Sequence, residues 1–244
     1  MDAVFPYNGG HSNRMDAMSP LDYLNRAGLA DALDADRIAA HLATYSEIAE
    51  TCQAPADVAA LYAYRVPELG ENGACSLPDQ LADDPYDLAA TLGGISAETS
   101  IRLATLQRLV AQLSSETGAG WLGIYQARAL TSGPALVKLA YTGKPSRAEF
   151  PLTAEFAQHS NNSAVGLSGL GRIIDHVDSY VAEGGAYYTC DAEVQSEACL
   201  PLFGADGALV GIIDAEDNRP GFFRAQVLER LIALCLVAPG SLPD

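Results

Sequence analysis

The sequence predicts an α+β fold: an antiparallel sheet with helices packed against it, preceded by a helical N-terminal extension. Three observations predict it. Two apolar runs, 198–203 and 208–213, flank Gly204-Ala205-Asp206-Gly207, whose Asp and Gly residues suit a tight turn between antiparallel strands. Three further short strand candidates, 121–125, 135–141 and 147–151, follow one another without an intervening helical period. Helix-spaced apolar stripes at 96–116 and 222–237 bracket the strands, the arrangement of an α+β domain rather than an alternating α/β one.

Taken in order, residues 1–20 are rich in Gly, Asn, Ser and Pro without any period, which describes a flexible arm, or one lying across a partner, with His11 as a solvated loop histidine. Leu24, Ala27, Leu29 and Leu33, then Ile38, Leu42, Tyr45 and Ile48, recur at helix spacing across 21–51, with Ser19-Pro20 as cap and first helical residue. Residues 34–48 are expected to form one amphipathic helix. A second helix is expected over 55–66, stopped by Pro67, and 68–85 has the Gly, Pro and Asp content of a linker. A boundary near Gly93-Gly94 divides a helical extension and linker, 1–95, from a domain at 96–244. That second segment, of about 150 residues, is long enough to bury its own core, so it is expected to fold alone with the extension as a cap or dimer arm. Within it, 142–145 turns between the second and third strands, 152–170 is a polar loop with a short helix, 171–177 is a fourth strand, and 222–237 is the closing helix.

The composition excludes several classes of function. A formal charge of −17, from 14 basic against 31 acidic side chains, leaves no basic patch for nucleic acid or an anionic membrane. No apolar run approaches the ~20 residues that cross a bilayer, and the start, MDAVFPYNGG, lacks a basic and apolar signal, so a cytoplasmic protein is expected. Five scattered cysteines without CxxC spacing, and histidines 41, 159 and 176 without ligand spacing, indicate neither a disulfide framework nor a metal site, and no cofactor is expected.

Chemistry concentrates in 187–216, YYTCDAEVQSEACLPLFGADGALVGIIDAE. Side chains alternate along a strand, so Glu197 and Cys199 share one face, and so do Ile212, Asp214 and Glu216. Both acidic ends lie away from the turn, which brings Glu197, Asp214 and Glu216 together. Mutual repulsion and partial burial then raise at least one of their pKa values enough to hold a proton near neutrality. Cys190, in the polar connection before the first of these strands, is the nucleophile candidate. The surrounding acids would raise its pKa, so backbone donors, a helix dipole or a substrate ammonium must favour the thiolate. Cys199, in an apolar strand, and Cys235, in the last helix, read as core residues.

The succession GWLGIYQ (120–126), TGKPSRAEFP (142–151), TCDAEVQSEACLPLF (189–203), GALVGIIDAED (207–217) and PGFF (220–223) resembles the GAF-domain family of free methionine-(R)-sulfoxide reductases from residue 96 onward. The resemblance implies a GAF-like sheet flanked by helices. It implies Cys190 as catalytic cysteine, Glu197 as pocket glutamate, Asp214 as the first of two pocket aspartates, and Glu216 in place of the second. Trp121 and Tyr125 match the substrate-contacting aromatic pair, with Asp191 beside Cys190 in the substrate-binding set. The family's two further cysteines, in segments matching 146–150 and 162–166, have no counterpart here. An aromatic floor with an acidic rim suits a small zwitterion with an ammonium group.

The implied reaction is attack of Cys190 on the sulfoxide sulfur, with Glu197 or Asp214 donating to its oxygen. The resulting sulfenic acid is resolved by an external thiol such as thioredoxin. Cys199, close in sequence and on the face of Glu197, is the one resolving candidate within the chain. The partners implied are an amino-acid-like substrate, a thiol reductant and a second subunit in a homodimer. Two alternatives stand beside this reading: a GAF module that binds a small ligand and regulates without turnover, and a related enzyme acting on another amino-acid-derived substrate.

Overall fold

Serine and aspartate side chains start most of the longer helices, and glycines end three of them. In the computed structural model, which describes residues 18–30, 33–70, 76–185, 187 and 191–244, helix α1 (Pro20–Ala27) is capped by Ser19, whose hydroxyl accepts from the Asp22 amide, and stops at Gly28 with φ 73°. Asp34 caps α2 (Ala35–Thr51) in the same way through the amides of Asp36 and Arg37. A short α3 (Ala59–Tyr62) runs into β1 (Ala63–Tyr64), followed by β2 (Pro67–Leu69), β3 (Ser76–Leu81), β4 (Tyr86–Asp87) and α4 (Leu88–Thr91). Ser96 caps the long α5 (Ala97–Thr117), which ends at left-handed Gly118.

The main sheet follows. Strands β5 (Trp121–Leu130), β6 (Gly133–Thr142) and β7 (Glu149–Pro151) come first, followed by α6 (Asn161–Ser168), capped by Ser160 and ended by Gly169. Then come β8 (Arg172–Ile174), α7 (Val177–Ala182), β9 (Ser196–Phe203), β10 (Leu209–Asp217) and α8 (Ala225–Val237). Among the described residues these strands make one six-stranded antiparallel sheet in the order β7-β6-β5-β10-β9-β8, with β1–β4 and β2–β3 as small separate pairs. This is the α+β architecture of an antiparallel sheet with flanking helices. The expected β9–β10 hairpin turns at 204–207, where Gly204 and Ala208 pair through the backbone and Gly207 takes φ 78°.

Three local expectations are corrected. The helix expected over 55–66 is confined to Ala59–Tyr62, because Tyr64 instead pairs with Tyr86, ring against ring at 5.4 Å, and donates its hydroxyl to the Lys138 carbonyl. The linker expected at 68–85 contains strands: Glu68 and Leu69 pair with Leu77 and Ser76, and the Ala82 amide donates to Val66. The strand expected over 171–177 ends at Ile174, and Val177 opens α7, which sequence periodicity did not reveal.

One face of the sheet carries the main core. Leu122, Ile124, Val137, Leu200, Leu202 and Ile213 pack there against Leu103, Leu106 and Leu109 of α5 and Leu231 and Leu234 of α8. The same cluster takes in Tyr23, Leu24, Ile38, Tyr45, Tyr62 and Leu88, so the core is continuous across residue 95. Tyrosine hydroxyls fasten this earlier segment: Tyr23 donates to the Pro201 carbonyl (2.9 Å), Tyr45 to Glu116 (2.8 Å), Tyr64 to the Lys138 carbonyl (2.7 Å) and Tyr86 to Glu149 (2.6 Å). No described helix is long and apolar enough to cross a membrane.

Each of those buried side chains contributes about 1.5–3 kcal/mol. Together they rival the whole stability of a domain, ~5–15 kcal/mol. Removal of residues 1–93 is therefore expected to abolish cooperative unfolding, as followed by denaturant titration. A soluble, cooperatively unfolding 94–244 fragment would show that the sheet and its two long helices suffice.

Candidate active site

The opposite face of the sheet carries the chemistry, and strand register assembles it. Glu216 on β10 lies directly across from Glu197 on β9 and from Trp121 on β5. Two residues along, Asp214 faces Cys199 and Gly123; two further, Ile212 faces Pro201 and Tyr125. Glu197, Asp214, Glu216, Trp121 and Tyr125 thus share one face; alternation predicts the meeting of the three acids, and the β5–β10 register adds the two aromatic rings. Cys190 lies outside the described residues, as does Cys75.

Glycine makes room for the indole. Trp121 folds back across Gly123, where any Cβ would collide with the ring, and its other edge meets Gly143, which has φ 103° and whose Cβ would stand 2.7 Å from Trp121 Cδ1. The indole Nε1 donates to the Lys144 carbonyl (3.1 Å), and the ring stacks on Tyr141 with centroids 6.5 Å apart. Tyr125 packs edge-on to Phe150 and donates to the Arg147 carbonyl (3.3 Å).

Helix α6 covers the acids. Asn161 Nδ2 donates to Glu197 Oε1 (3.1 Å), and its Oδ1 accepts from Arg172 (2.8 Å), so a guanidinium acts on Glu197 through an amide. Asn162 Nδ2 donates to Asp214 Oδ2 (2.9 Å). Tyr187 also donates to Glu197. Among the described residues, two buried atoms of this group have no hydrogen-bond partner: Asp214 Oδ1 and Asn162 Oδ1.

Burial dominates the electrostatics. Glu197 and Asp214 are 4% and 3% exposed, which leaves almost no water to hydrate two charges, while Glu216 is half-buried. Burial pushes Glu197 up, against hydrogen bonds from Tyr187 and Asn161 and the charge of Arg172. Asp214 is raised well above the carboxylate range by burial and then by Glu197, opposed by the Asn162 amide. Glu216 is raised by burial and then by Asp214, Glu197 and Asp191, with Lys138 opposing. The three groups therefore share protons and titrate as a unit.

Asp191 behaves oppositely. Burial pushes it up, but the Lys144 ammonium at 2.8 Å and the Glu193 amide outweigh that, and it stays ionised. Lys144 also pairs with Glu193 at 2.5 Å, tying the β6–β7 connection to the segment that follows Cys190. Cys199 is fully buried among Tyr125, Ile212, Leu136 and Phe150; burial, then Asp214 and Glu197, keep its thiol neutral. Cys235 is likewise raised by burial, to about 12.

Where the resembled family has further cysteines, the chain has polar groups bonded to site residues: Ser146 accepts twice from Lys138 Nζ at 2.7 Å, and Asn162 holds Asp214. Lys138 is itself buried against the rings of Tyr141 (4.1 Å) and Tyr64 (5.0 Å). Sequence reasoning missed Asn161, Asn162, Arg172, Tyr187 and Lys138. The only signal for the asparagines was Ser160-Asn161-Asn162-Ser163, polar residues at a helix start, which says nothing about which strand they meet. Beside Trp121 and Glu216 a cavity of about 520 Å³ opens, bounded also by Asp191, Lys144, Asp217 and Arg219. Among the described residues no group of His, Cys, Asp or Glu is placed to hold a metal ion.

No family model and no curated protein sequence matches the chain. Solved structures do. A type II free methionine-R-sulfoxide reductase from Thermoplasma acidophilum superposes with a TM-score of 0.51 at 18% identity, over 59% of this chain and 94% of that one. A GAF domain superposes with a TM-score of 0.52 at 14% identity, over 97% of this chain and 98% of that one. At these identities the likeness establishes the fold, which is that of a GAF domain.

The raised carboxylates fix a pH dependence. A group whose pKa is higher folded than unfolded stabilises fully below its unfolded value, near ~4, and loses that contribution as pH rises through its folded value. From pH 5 to 8 the unliganded protein should lose stability, by up to about 1.4 kcal/mol per pH unit for each extra proton the native state holds. Asp214→Asn should flatten that slope in denaturant titrations. A wild-type slope no steeper than that of the variant would place the charges in water.

Proposed function

We propose that the protein reduces free methionine-(R)-sulfoxide to methionine with Cys190 as nucleophile. The observation that carries the proposal is Asp214 Oδ1: a buried carboxyl oxygen with no described partner, on a group whose pKa is raised and whose other oxygen is already taken by Asn162. With Oδ2 accepting, Oδ1 is the oxygen left to carry a proton and give it to a ligand.

The substrate's ammonium would meet Glu216, beside the faces of Trp121 and Tyr125, and its side chain would run inward toward Asp214 and Glu197. Cys190 sulfur attacks the sulfoxide sulfur while Asp214 or Glu197 protonates the oxygen. The S–O bond breaks, methionine leaves with two electrons gained, and oxygen passes to Cys190 as sulfenic acid. An external thiol condenses with it, releasing water and leaving a mixed disulfide. A second thiol then frees Cys190 and departs as the oxidised disulfide. The described cysteines, Cys52, Cys199 and Cys235, are all buried, which favours a reductant from outside. Asp191, adjacent in sequence to Cys190, would hold the mouth through Lys144. The same burial favours, as second reading, a GAF module that binds an amino acid without turning it over.

Two experiments separate these. Glu197→Gln and Asp214→Asn should each lower kcat by ~10²–10⁴, the scale of general acid catalysis, while thermal stability at pH 7 is kept or raised. Equal losses of activity and stability would make both acids structural. Cys190→Ser should abolish turnover of the R diastereomer with dithiothreitol while ligand affinity persists. A wild type that turns over no sulfoxide under those conditions would overturn the reductase reading.

A further inference from the structure

Glu197 and Asp214 have amide partners that look alike and behave differently. Asn161 and Asn162 are adjacent at the start of α6, both 5% exposed, and each gives an Nδ2 hydrogen to one of the two carboxyls. Their oxygens are in different positions. Asn161 Oδ1 accepts from Arg172 Nη1 at 2.8 Å, whereas Asn162 Oδ1 has no partner among the described residues. Arg172 stands on β8 opposite Cys199, two residues from Ile174, which stands opposite Glu197.

That difference decides what each amide can do. A guanidinium only donates. Turning Asn161 over would set its NH2 group against Arg172 and its carbonyl oxygen against Glu197, losing both bonds, so its hydrogens are locked toward Glu197. Glu197 therefore meets donors: Asn161, and the Tyr187 phenol, which burial keeps protonated. A carboxyl bonded to donors is stabilised as its anion. The Asn162 amide gives up nothing at its Oδ1 end when it turns. It can accept from a protonated Asp214 through Oδ1 as well as donate to an ionised one through Nδ2.

The charges around the pair point the same way. Facing Glu197 are Arg172 from β8, Tyr187, Asp214 and Glu216 from β10, and the neutral thiol of Cys199 on its own strand. Arg172 favours the anion of Glu197, while the charge that acts most on Asp214 is Glu197 itself, which disfavours a second anion. We infer that Arg172 is a positioning residue: by locking the Asn161 amide it keeps Glu197 ionised, and the proton of the pair rests on Asp214. The inference deepens the reading under Proposed function, on which its consequence for turnover rests, by giving the donation to the sulfoxide oxygen to Asp214.

Carboxyl carbon NMR of the unliganded full chain at pH 7, with the two resonances assigned from Glu197→Gln and Asp214→Asn, reads both protonation states without turnover. Glu197 should be ionised and Asp214 protonated. Arg172→Met should raise the apparent pKa of Glu197 by about one pH unit, the low end of what a cation does, because it acts here through an amide. Arg172→Lys should restore it. Asn161→Leu should reproduce the shift, and adding Arg172→Met to it should change little further, since the two side chains act as one path. In turnover of the R sulfoxide with dithiothreitol, Arg172→Met should lower kcat up to about tenfold, the equivalent of one pKa unit, with KM unchanged. Any other pairing of protonation states in the wild type would overturn the inference whatever the variants do. So would an Arg172→Met protein whose two carboxyls titrate as in the wild type. The expected states in a protein that turns over no sulfoxide would keep the inference and remove the reductase.

Discussion

The burial of Glu197 and Asp214 beside half-buried Glu216 on one sheet face is the constraint on which the rest of the site depends. Register places Glu216 opposite Glu197 and Asp214 two residues along the same strand. Burial of Glu197 and Asp214 and the repulsion among all three acids disfavour full ionisation of the set. The molecule answers partly with protons and partly with donors: Asn161 and Tyr187 to Glu197, Asn162 to Asp214, and more distant positive charge from Arg172 and Lys138. None of these donors is a directly paired cation on Glu197 or Asp214. A salt bridge would have fixed both acids in the ionised state; neutral amides leave them free to carry a proton.

The segment before residue 95 bears on this arrangement from two directions. Through Tyr23, Tyr45 and Ile38 it joins the core on the apolar face of the sheet and packs against α8. Through Tyr64 it reaches the other side, where its ring and hydroxyl hold Lys138 next to Tyr141, and Lys138 in turn lowers the pKa of Glu216. Pro67 and Leu81 then wall the cavity beside Trp121. Stability and recognition are drawn from the same stretch of chain, so changes there are expected to alter both.

The 204–207 hairpin, the long helices and the convergence of Glu197, Asp214 and Glu216 were legible in the sequence, since period 2 and period 3.6 are local properties; that Trp121 and Tyr125 stand on the same face depends on the pairing of β5 with β10. What escaped was non-local. Strands β2 and β3 lie in a stretch of Gly, Pro and Asp and exist because each finds the other. Asn161 and Asn162 look like ordinary residues of a helix start, and only the path of α6 across β9 and β10 turns them toward the acids. Lys138 interrupts an apolar strand, which marks it as unusual, but its partners Tyr64 and Ser146 come from two other parts of the chain.

The central claim is that the unliganded acids hold a proton at neutral pH which an ammonium ligand displaces. Calorimetric binding of L-methionine at pH 7 in buffers of different ionisation enthalpy measures this directly. Net release of protons, suppressed in Glu216→Gln, is the result that follows from three adjacent carboxylates sharing charge. Binding with no proton release, or with uptake, would mean that the acids are already ionised and that the face holding Glu197, Asp214 and Glu216 is not the proton-bearing site described above.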